Sequence, residues 1–380
     1  MTENKDKWTP EQTNNVVALI QKLQGLGISA KISSIEQGPV VTAYLFDLGH
    51  DEPINRILKR AEDFALSLGA DKVIVQRIKD KIAIFVPNKE RQIVDYKDIL
   101  HWYLNDEKCQ KATIPIPLGV DFHGEKTFLD LVEMPHCLIT GSTGSGKSVF
   151  EAAIISSLVY RFDPSDLNLY LVDTKQLDLP LFKELPHVKT VADNLDDFHN
   201  MMHYIMPEIR RRNGVMQNAS VRNITDYHTM MGSKSSMPFI ILMLDEFGDL
   251  MDLDNLYRKA DKDKYEATPT VSQWLKQVVQ IGRAAGVHII ACTQRASVKI
   301  ITGDIKANLP CRIALRLPTR VDSTTILGTG GAENLLGKGD MLVQRPEKDV
   351  IERFHGPFVS MNDIQQLIVG YDMIKQSMRG

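Results

Sequence analysis

The run Gly141-Ser142-Thr143-Gly144-Ser145-Gly146-Lys147-Ser148 fits G-x-x-x-x-G-K-[ST], and its residue types suit one task, holding the phosphates of a nucleoside triphosphate. The glycines let backbone N–H groups turn inward around a β-phosphate, and Lys147 can reach the β- and γ-phosphates. Ser148 can give its hydroxyl to Mg2+, and a helix that continues through Val149 adds the positive end of its dipole. The expected ligands are ATP and Mg2+. A second element, Phe239-Ile-Ile-Leu-Met-Leu244, is uninterruptedly apolar and ends in Asp245-Glu246. Asp245 would then hold Mg2+, directly or through water, and Glu246 would polarise the water that attacks the γ-phosphate. A carboxylate in that place points to hydrolysis rather than to transfer onto a small acceptor. A third apolar run, 288–293, ends in Thr293-Gln294-Arg295, where Gln294 could sense the γ-phosphate.

These side chains can meet only if the strands carrying them lie side by side. Apolar runs at 137–140, 167–172, 239–244, 288–293 and 311–317 alternate with helical stretches. Near-continuous hydrophobicity is what a parallel sheet covered on both faces requires, and such a sheet gathers its active residues at the carboxyl ends of its strands. The expected class is α/β, with a mainly parallel sheet.

The chain before this region has a different pattern. A helix is expected over 10–26, with Thr9 as N-cap and Pro10 at its first position. Strands are expected at 30–35, 40–48, 73–78 and 82–86, with one amphipathic helix over 54–68 closed by Gly69. That is a small α+β domain over 1–113, joined through a linker at about 105–114 to a larger domain over 114–380. The short charged run 259–264 reads as a solvated loop.

Composition bounds the rest. The chain has 380 residues, 43% hydrophobic and 24% charged, within globular norms. Its longest apolar run is far short of the roughly 20 residues that cross a bilayer, and residues 1–7 carry charge with no apolar stretch behind them. A soluble, cytoplasmic protein is expected. The four cysteines have no CxxC spacing, so neither a zinc site nor a disulfide framework is expected, and Cys137 and Cys292 lie in apolar runs that should bury them. His136, His187, His288 and His355 have no metal-ligand spacing and read as structural. The net charge of −3 means that any nucleic-acid contact must use a local concentration of base.

Six segments together resemble one family. GSTGSGKSV (141–149), LDEFGDL (244–250), RAAGVH (283–288), TQRASV (293–298), ITGDIKANLP (301–310) and GGAENLLGKGDM (330–341) are similar to the motor of FtsK/SpoIIIE DNA translocases. QGPVV (37–41) and VPNKER (86–91) are similar to that family's α subdomain, and the likeness runs over about 15–365. It implies a RecA-like P-loop NTPase domain preceded by the small α domain. It also implies a homo-oligomer, a hexameric ring that threads double-stranded DNA through its centre using ATP. The chain departs from the family pattern in places: Asp173-Thr174-Lys175 replaces Asp-Pro-Lys, Asp322-Ser323-Thr324-Thr325 replaces Asp-Ser-Arg-Thr, and TQRAS replaces TQRPS. The family's large members also carry N-terminal membrane helices and a C-terminal winged-helix domain that reads DNA sequence; neither is expected here.

Ring motors complete each site with an arginine from the neighbouring subunit. Arg312, which begins the strand after ANLP, and Arg283 are the two candidates. The segment 295–320 concentrates Arg295, Lys299, Lys306, Arg312, Arg316 and Arg320 against one acid, Asp304. Arg295, Lys299 and Lys306 are the expected DNA contacts, with the loop over about 252–270 as a second DNA-facing element. Arg210-Arg211-Arg212 is as compatible with solvent or a neighbouring subunit. No aromatic residues accompany these charges, so sequence-independent binding to duplex phosphates is expected. The same machinery would serve a genome-packaging or conjugative coupling ATPase. A nucleotide-switched scaffold without catalysis is the remaining alternative, against which Glu246 and Gln294 stand.

Overall fold

The computed structural model describes residues 8–49, 54–232, 237–348 and 350–379, with side chains of the last helix as far as Tyr371. The N-terminal stretch 1–7 lies outside the described residues. Thr9 starts the first helix, Pro10–Gly25, as its sequence dictates. The Thr9 hydroxyl accepts from Gln12 N, and the Gln12 side chain accepts in turn from Thr9 N at 2.9 Å. This reciprocal cap satisfies two donors that the helix end leaves over. Strands β1 (Ala30–Gln37), β2 (Val41–Leu48), β3 (Ile74–Ile78) and β4 (Lys81–Pro87) form an antiparallel sheet in the order β1-β2-β4-β3. The amphipathic stretch expected as one helix is two, Ile54–Leu58 and Ala61–Leu68. The backbone at Arg60 (φ −111°, ψ 26°) leaves the helical region between them. The apolar stripe survives the break, because Ile57 and Phe64 are both fully buried. Gly69 closes the second helix in the left-handed region at φ +60°, which only glycine enters freely.

This small sheet is buried on both faces. Tyr44, Phe46, Ile82, Ile84 and Val86 pack against Val16, Leu19 and Leu23 of the first helix. The alternate residues, Ala43, Leu45, Ala83 and Phe85, join the core of the larger unit. Residues 105–114, expected as a linker, are packed down as well. Asp106 caps the helix Glu107–Lys111, Cys109 is buried, and Arg161 donates to the carbonyls of Cys109 (2.8 Å) and Ala112 (3.1 Å).

The larger sheet has ten strands: β5 (Pro115–Asp121), β6 (Lys126–Asp130), β7 (His136–Thr140), β8 (Leu167–Val172), β9 (Val188–Ala192), β10 (Phe239–Leu244), β11 (Val287–Thr293), β12 (Cys311–Leu315), β13 (Asp340–Gln344) and β14 (Glu352–His355). Their order is β6-β5-β14-β13-β12-β7-β11-β10-β8-β9. From β12 to β9 every pairing is parallel, and from β12 outward to β6 every pairing is antiparallel. The five strands expected from apolar runs all belong to the parallel block. Its register sets Thr293 beside Thr140 and Ala291 beside Leu244, so the phosphate loop, the acidic pair and the glutamine emerge together.

The region 252–270 is not the loop that its charge suggests. It continues the helix Phe247–Ala260 into a short helix, Lys262–Tyr265. Asp261 caps the second helix, and Arg258 ties the segment together by donating to the Thr268 carbonyl at 2.8 Å and to Asp254 at 2.7 Å. Among the described residues no helix is long and apolar enough to cross a membrane.

Phe85 lies where the small sheet meets the larger unit, edge-on to Phe122 at 5.3 Å with the Arg353 guanidinium 5.2 Å from its ring centre. Phe85→Ala is expected to cost about 3–5 kcal/mol, read as a lowered chemical-denaturation midpoint. A loss below about 1 kcal/mol would mean that this interface carries little of the stability.

Candidate nucleotide and nucleic-acid site

Residues 141–146 form the turn between β7 and the helix Lys147–Arg161. Gly144 (φ +75°) and Gly146 (φ +101°) take the left-handed conformations that the cradle needs. At Gly146 a Cβ would come within 2.5 Å of Gly339 N, so the loop is seated against the glycine turn 337–339. Gly339 N donates to the Ser145 carbonyl at 2.8 Å, and Ser142 N and Oγ both donate to the Arg316 carbonyl at 2.9 Å. The Ser145 hydroxyl is buried in the cradle without a partner.

Lys147 is buried, and its ammonium donates to Glu151 Oε1 at 3.0 Å, to the Asp245 carbonyl at 2.9 Å and to the Asp245 carboxylate. Burial alone would lower its pKa. The charge of Glu151, where it is ionised, and that of Asp245 outweigh this and hold it above the ordinary lysine range. Asp245 thus already receives a cation, and Ser148, the residue after Lys147, carries a hydroxyl. A carboxylate and a hydroxyl are oxygen donors of the kind that magnesium takes.

Glu246 sits beside Asp245, also buried. Its Oε1 accepts from the Thr293 hydroxyl and its Oε2 from Gln294 N at 2.7 Å. Burial raises its pKa, and those two hydrogen bonds pull the other way. The Gln294 side-chain oxygen accepts from the Thr143 hydroxyl of the phosphate loop at 3.0 Å. The three expected elements therefore form one hydrogen-bonded line across the tips of β7, β11 and β10.

The two arginine candidates separate sharply. Arg312 is engaged by its own chain: its guanidinium donates to the carbonyls of Lys306 (3.0 Å) and Ile326 (3.3 Å) and to Gln344 Oε1 (3.2 Å). Arg283 is exposed, on the turn before β11. That turn is pinned by Arg212, which is itself buried and donates to the carbonyls of Ala285 (3.0 Å) and Pro238 (2.8 Å). One of the three consecutive arginines is thus an internal clamp rather than a surface charge. Arg295 and Lys299 stand on the loop after β11, both exposed. Lys306 lies apart, half-buried on the helix Gly303–Asn308 that leads back to β12. Arg295 is paired with Asp252 and Asp249 of the helix Phe247–Ala260.

Glu151 is not among the residues that the motifs single out, although an acid one helical turn beyond the P-loop lysine, inside an apolar helix, is a visible signal. Burial pushes its carboxyl up to about 8, with Lys147 opposing and Asp245 adding to the rise. A carboxyl so raised binds its proton more tightly in the folded state than in the unfolded chain. Its contribution to stability therefore falls as pH climbs from about 4.5 to about 8. The melting temperature of Glu151→Gln, relative to wild type, is expected to rise across that interval and level off above it. A difference independent of pH would refute the raised carboxyl.

Comparison with known proteins fits this geometry. Residues 103–298 match the FtsK/SpoIIIE family and residues 1–88 match the FtsK alpha domain. The DNA translocase FtsK of Pseudomonas putida is 33% identical over 400 residues, covering 98% of this chain and 46% of the relative. That of Campylobacter jejuni is 36% identical over 366 residues, covering 94% and 37%. The chain therefore spans about half the length, or less, of these curated relatives. Among solved structures, the conjugation coupling protein TcpA, in its monomer form with ATPγS, superposes with a TM-score of 0.61 at 21% identity, covering 93% of this chain and 99% of that one. The cytoplasmic domain of the type VII secretion ATPase EccC from Thermomonospora curvata gives 0.60 at 24% identity, covering 73% and 34%. These likenesses show a shared RecA-like P-loop fold. The sequence matches go further, since they run through the phosphate loop, the acidic strand and the glutamine tip, and by them the chain belongs to the FtsK/SpoIIIE family.

Proposed function

We infer that this chain is an ATP-driven motor for duplex DNA: it hydrolyses ATP within a homo-oligomeric, hexameric ring and uses the turnover to move along double-stranded DNA. The observation that carries this reading is the line from Thr143 through Gln294 to Glu246, which ties the phosphate cradle to the carboxylate able to polarise water. The relatives named DNA translocase FtsK support the choice of duplex DNA as the object moved.

In this mechanism the loop 141–148 receives the triphosphate on its backbone N–H groups. Lys147 exchanges Asp245 and Glu151 for the β- and γ-phosphates. Ser148 and Asp245 would hold magnesium, which when bound neutralises charge on those phosphates. Glu246 polarises the attacking water, and Gln294 reports loss of the γ-phosphate to the loop that carries Arg295 and Lys299. Those two residues meet DNA phosphates, a contact that carries no base sequence. Arg283 acts in trans on the neighbouring site. It is the better of the two candidates because it is exposed on a clamped turn, whereas Arg312 already serves its own subunit.

The test is ATP hydrolysis with and without linear duplex DNA. Duplex should stimulate it, with binding that weakens steeply as salt rises. Lys147→Ala should abolish turnover. Glu246→Ala should keep nucleotide binding and lose about 10²–10⁴-fold in rate. A wild-type rate in Glu246→Ala would remove Glu246 from its role.

The shared site gives a second expectation. Lys147→Ala and Arg283→Ala subunits should each be inactive alone, yet regain activity when mixed and allowed to exchange, because an arginine finger is worth about 10³–10⁵ in rate. Arg312→Ala should lower the melting temperature and give no such rescue. Rescue with Arg312→Ala and not with Arg283→Ala would reverse the assignment.

A further inference from the structure

Glu246 does not extend freely from the tip of β10. Both of its oxygens are engaged at the end of β11, Oε1 by the Thr293 hydroxyl and Oε2 by the backbone N–H of Gln294, the residue after the strand. Its carboxylate is folded against the loop beyond. A Cβ built on Gly248 would meet Glu246 Oε1 at 3.1 Å and Ile300 Cδ1 at 2.9 Å, so the carboxylate and an apolar side chain of that loop both crowd the first turn of the helix. A water to be activated must approach a carboxylate that is already bound twice.

The Thr293 hydroxyl is a relay in this contact. It donates to Glu246 and accepts from Arg295 N at 3.0 Å. Arg295 in turn is held through its side chain by Asp252 and, at 3.5 Å, by Asp249. Both acids ride on the helix Phe247–Ala260, for which Glu246 is the N-cap residue. Loop and helix are thus stapled at two points, with Glu246 at the root of both. The outer staple faces solvent: the side chains of Arg295 and Asp252 are 47% and 57% exposed. Ion pairs so exposed are weak and yield to a competing anion, whereas the Thr293–Glu246 contact is buried.

We propose that Thr293 is a positioning residue that clasps Glu246 away from the attacking water, and that a duplex-DNA phosphate which takes Arg295 from Asp252 and Asp249 opens the clasp. This rests on the reading of the chain as a DNA-stimulated ATPase. It adds a path by which DNA controls the carboxylate: the phosphate draws the Arg295 side chain outward, the Arg295 N–H leaves the Thr293 hydroxyl, and Thr293 releases Oε1. Only hydrogen bonds and ion pairs are exchanged.

The experiment measures steady-state ATP hydrolysis by the full chain, without DNA and over a titration of random-sequence linear duplex, for wild type, Thr293→Val, Thr293→Ser and Asp252→Asn. Thr293→Val keeps the shape and loses the hydroxyl. It should raise the DNA-free rate severalfold towards the stimulated rate, so that the stimulation ratio collapses towards one. Thr293→Ser keeps a hydroxyl and should retain the wild-type ratio. Asp252→Asn should raise the DNA-free rate and lower severalfold the DNA concentration needed for half-maximal stimulation. A Thr293→Val protein with a wild-type DNA-free rate and a normal ratio overturns the clasp. So does one that binds nucleotide but loses both rates together, since Thr293 would then be needed in the active state. If Thr293→Val does not fold, the solvent-facing Asp252→Asn decides, and wild-type behaviour in both measurements overturns the proposal. If duplex fails to stimulate the wild type, DNA is removed as the trigger and the reading of the chain as a DNA motor fails with it. The DNA-free rate of Thr293→Val then judges the clasp alone.

Discussion

A lysine ammonium taken out of water is the constraint around which the larger domain is arranged. Lys147 is 4% exposed, and a buried cation of this kind is tolerated only where acidic side chains take its hydrogen bonds and at least one of them is ionised. Those partners come from two directions. Glu151 lies one turn along the same helix, and Asp245 arrives from the end of β10. β10 can deliver it only because the sheet order places one strand, β11, between β7 and β10. The intervening strand then supplies Thr293 and Gln294 at the level of the acidic pair. One buried charge thereby fixes the spacing of three strand tips. The same arrangement makes the site exchangeable, because a triphosphate with its metal can replace each contact that Lys147 makes.

Much of this was legible in the sequence because the signals are local. The phosphate loop, the acidic pair after 239–244 and Gln294 after 288–293 each announce themselves within a few residues, and unbroken apolar runs identify the parallel strands. What was not legible depends on partners far along the chain. Arg312 looks available until Gln344 and the Ile326 carbonyl close on it. Arg212 reads as one of three surface charges until it reaches the turn before β11. The charged segment 252–270 reads as a loop because charge is visible and the cross-bracing by Arg258 and Asp254 is not. The break at Arg60 is hidden for the opposite reason: the apolar period runs through it undisturbed.

The small N-terminal sheet shows how much a two-sided burial pattern can do. One set of alternate side chains on β2 and β4 packs on the first helix, and the other set joins the core of the larger domain. The segment beyond it is fastened by Arg161, which belongs to the phosphate-loop helix. The nucleotide site and the small sheet are thus joined through close-packed side chains and carbonyl contacts, and close-packed interiors transmit displacement rather than absorb it.

All four cysteines, Cys109, Cys137, Cys292 and Cys311, are buried as free thiols. Burial pushes Cys109 up to about 12, and Cys292 lies well above its ordinary range for the same reason. A thiol must be exposed and ionised to react with maleimides, iodoacetamides or peroxide. The folded chain is therefore nearly silent towards such reagents. A cysteine placed on the surface, for instance on the Lys299 loop, would be the reactive one against that background, so a dye or a cross-linker could be attached there without first removing the native thiols.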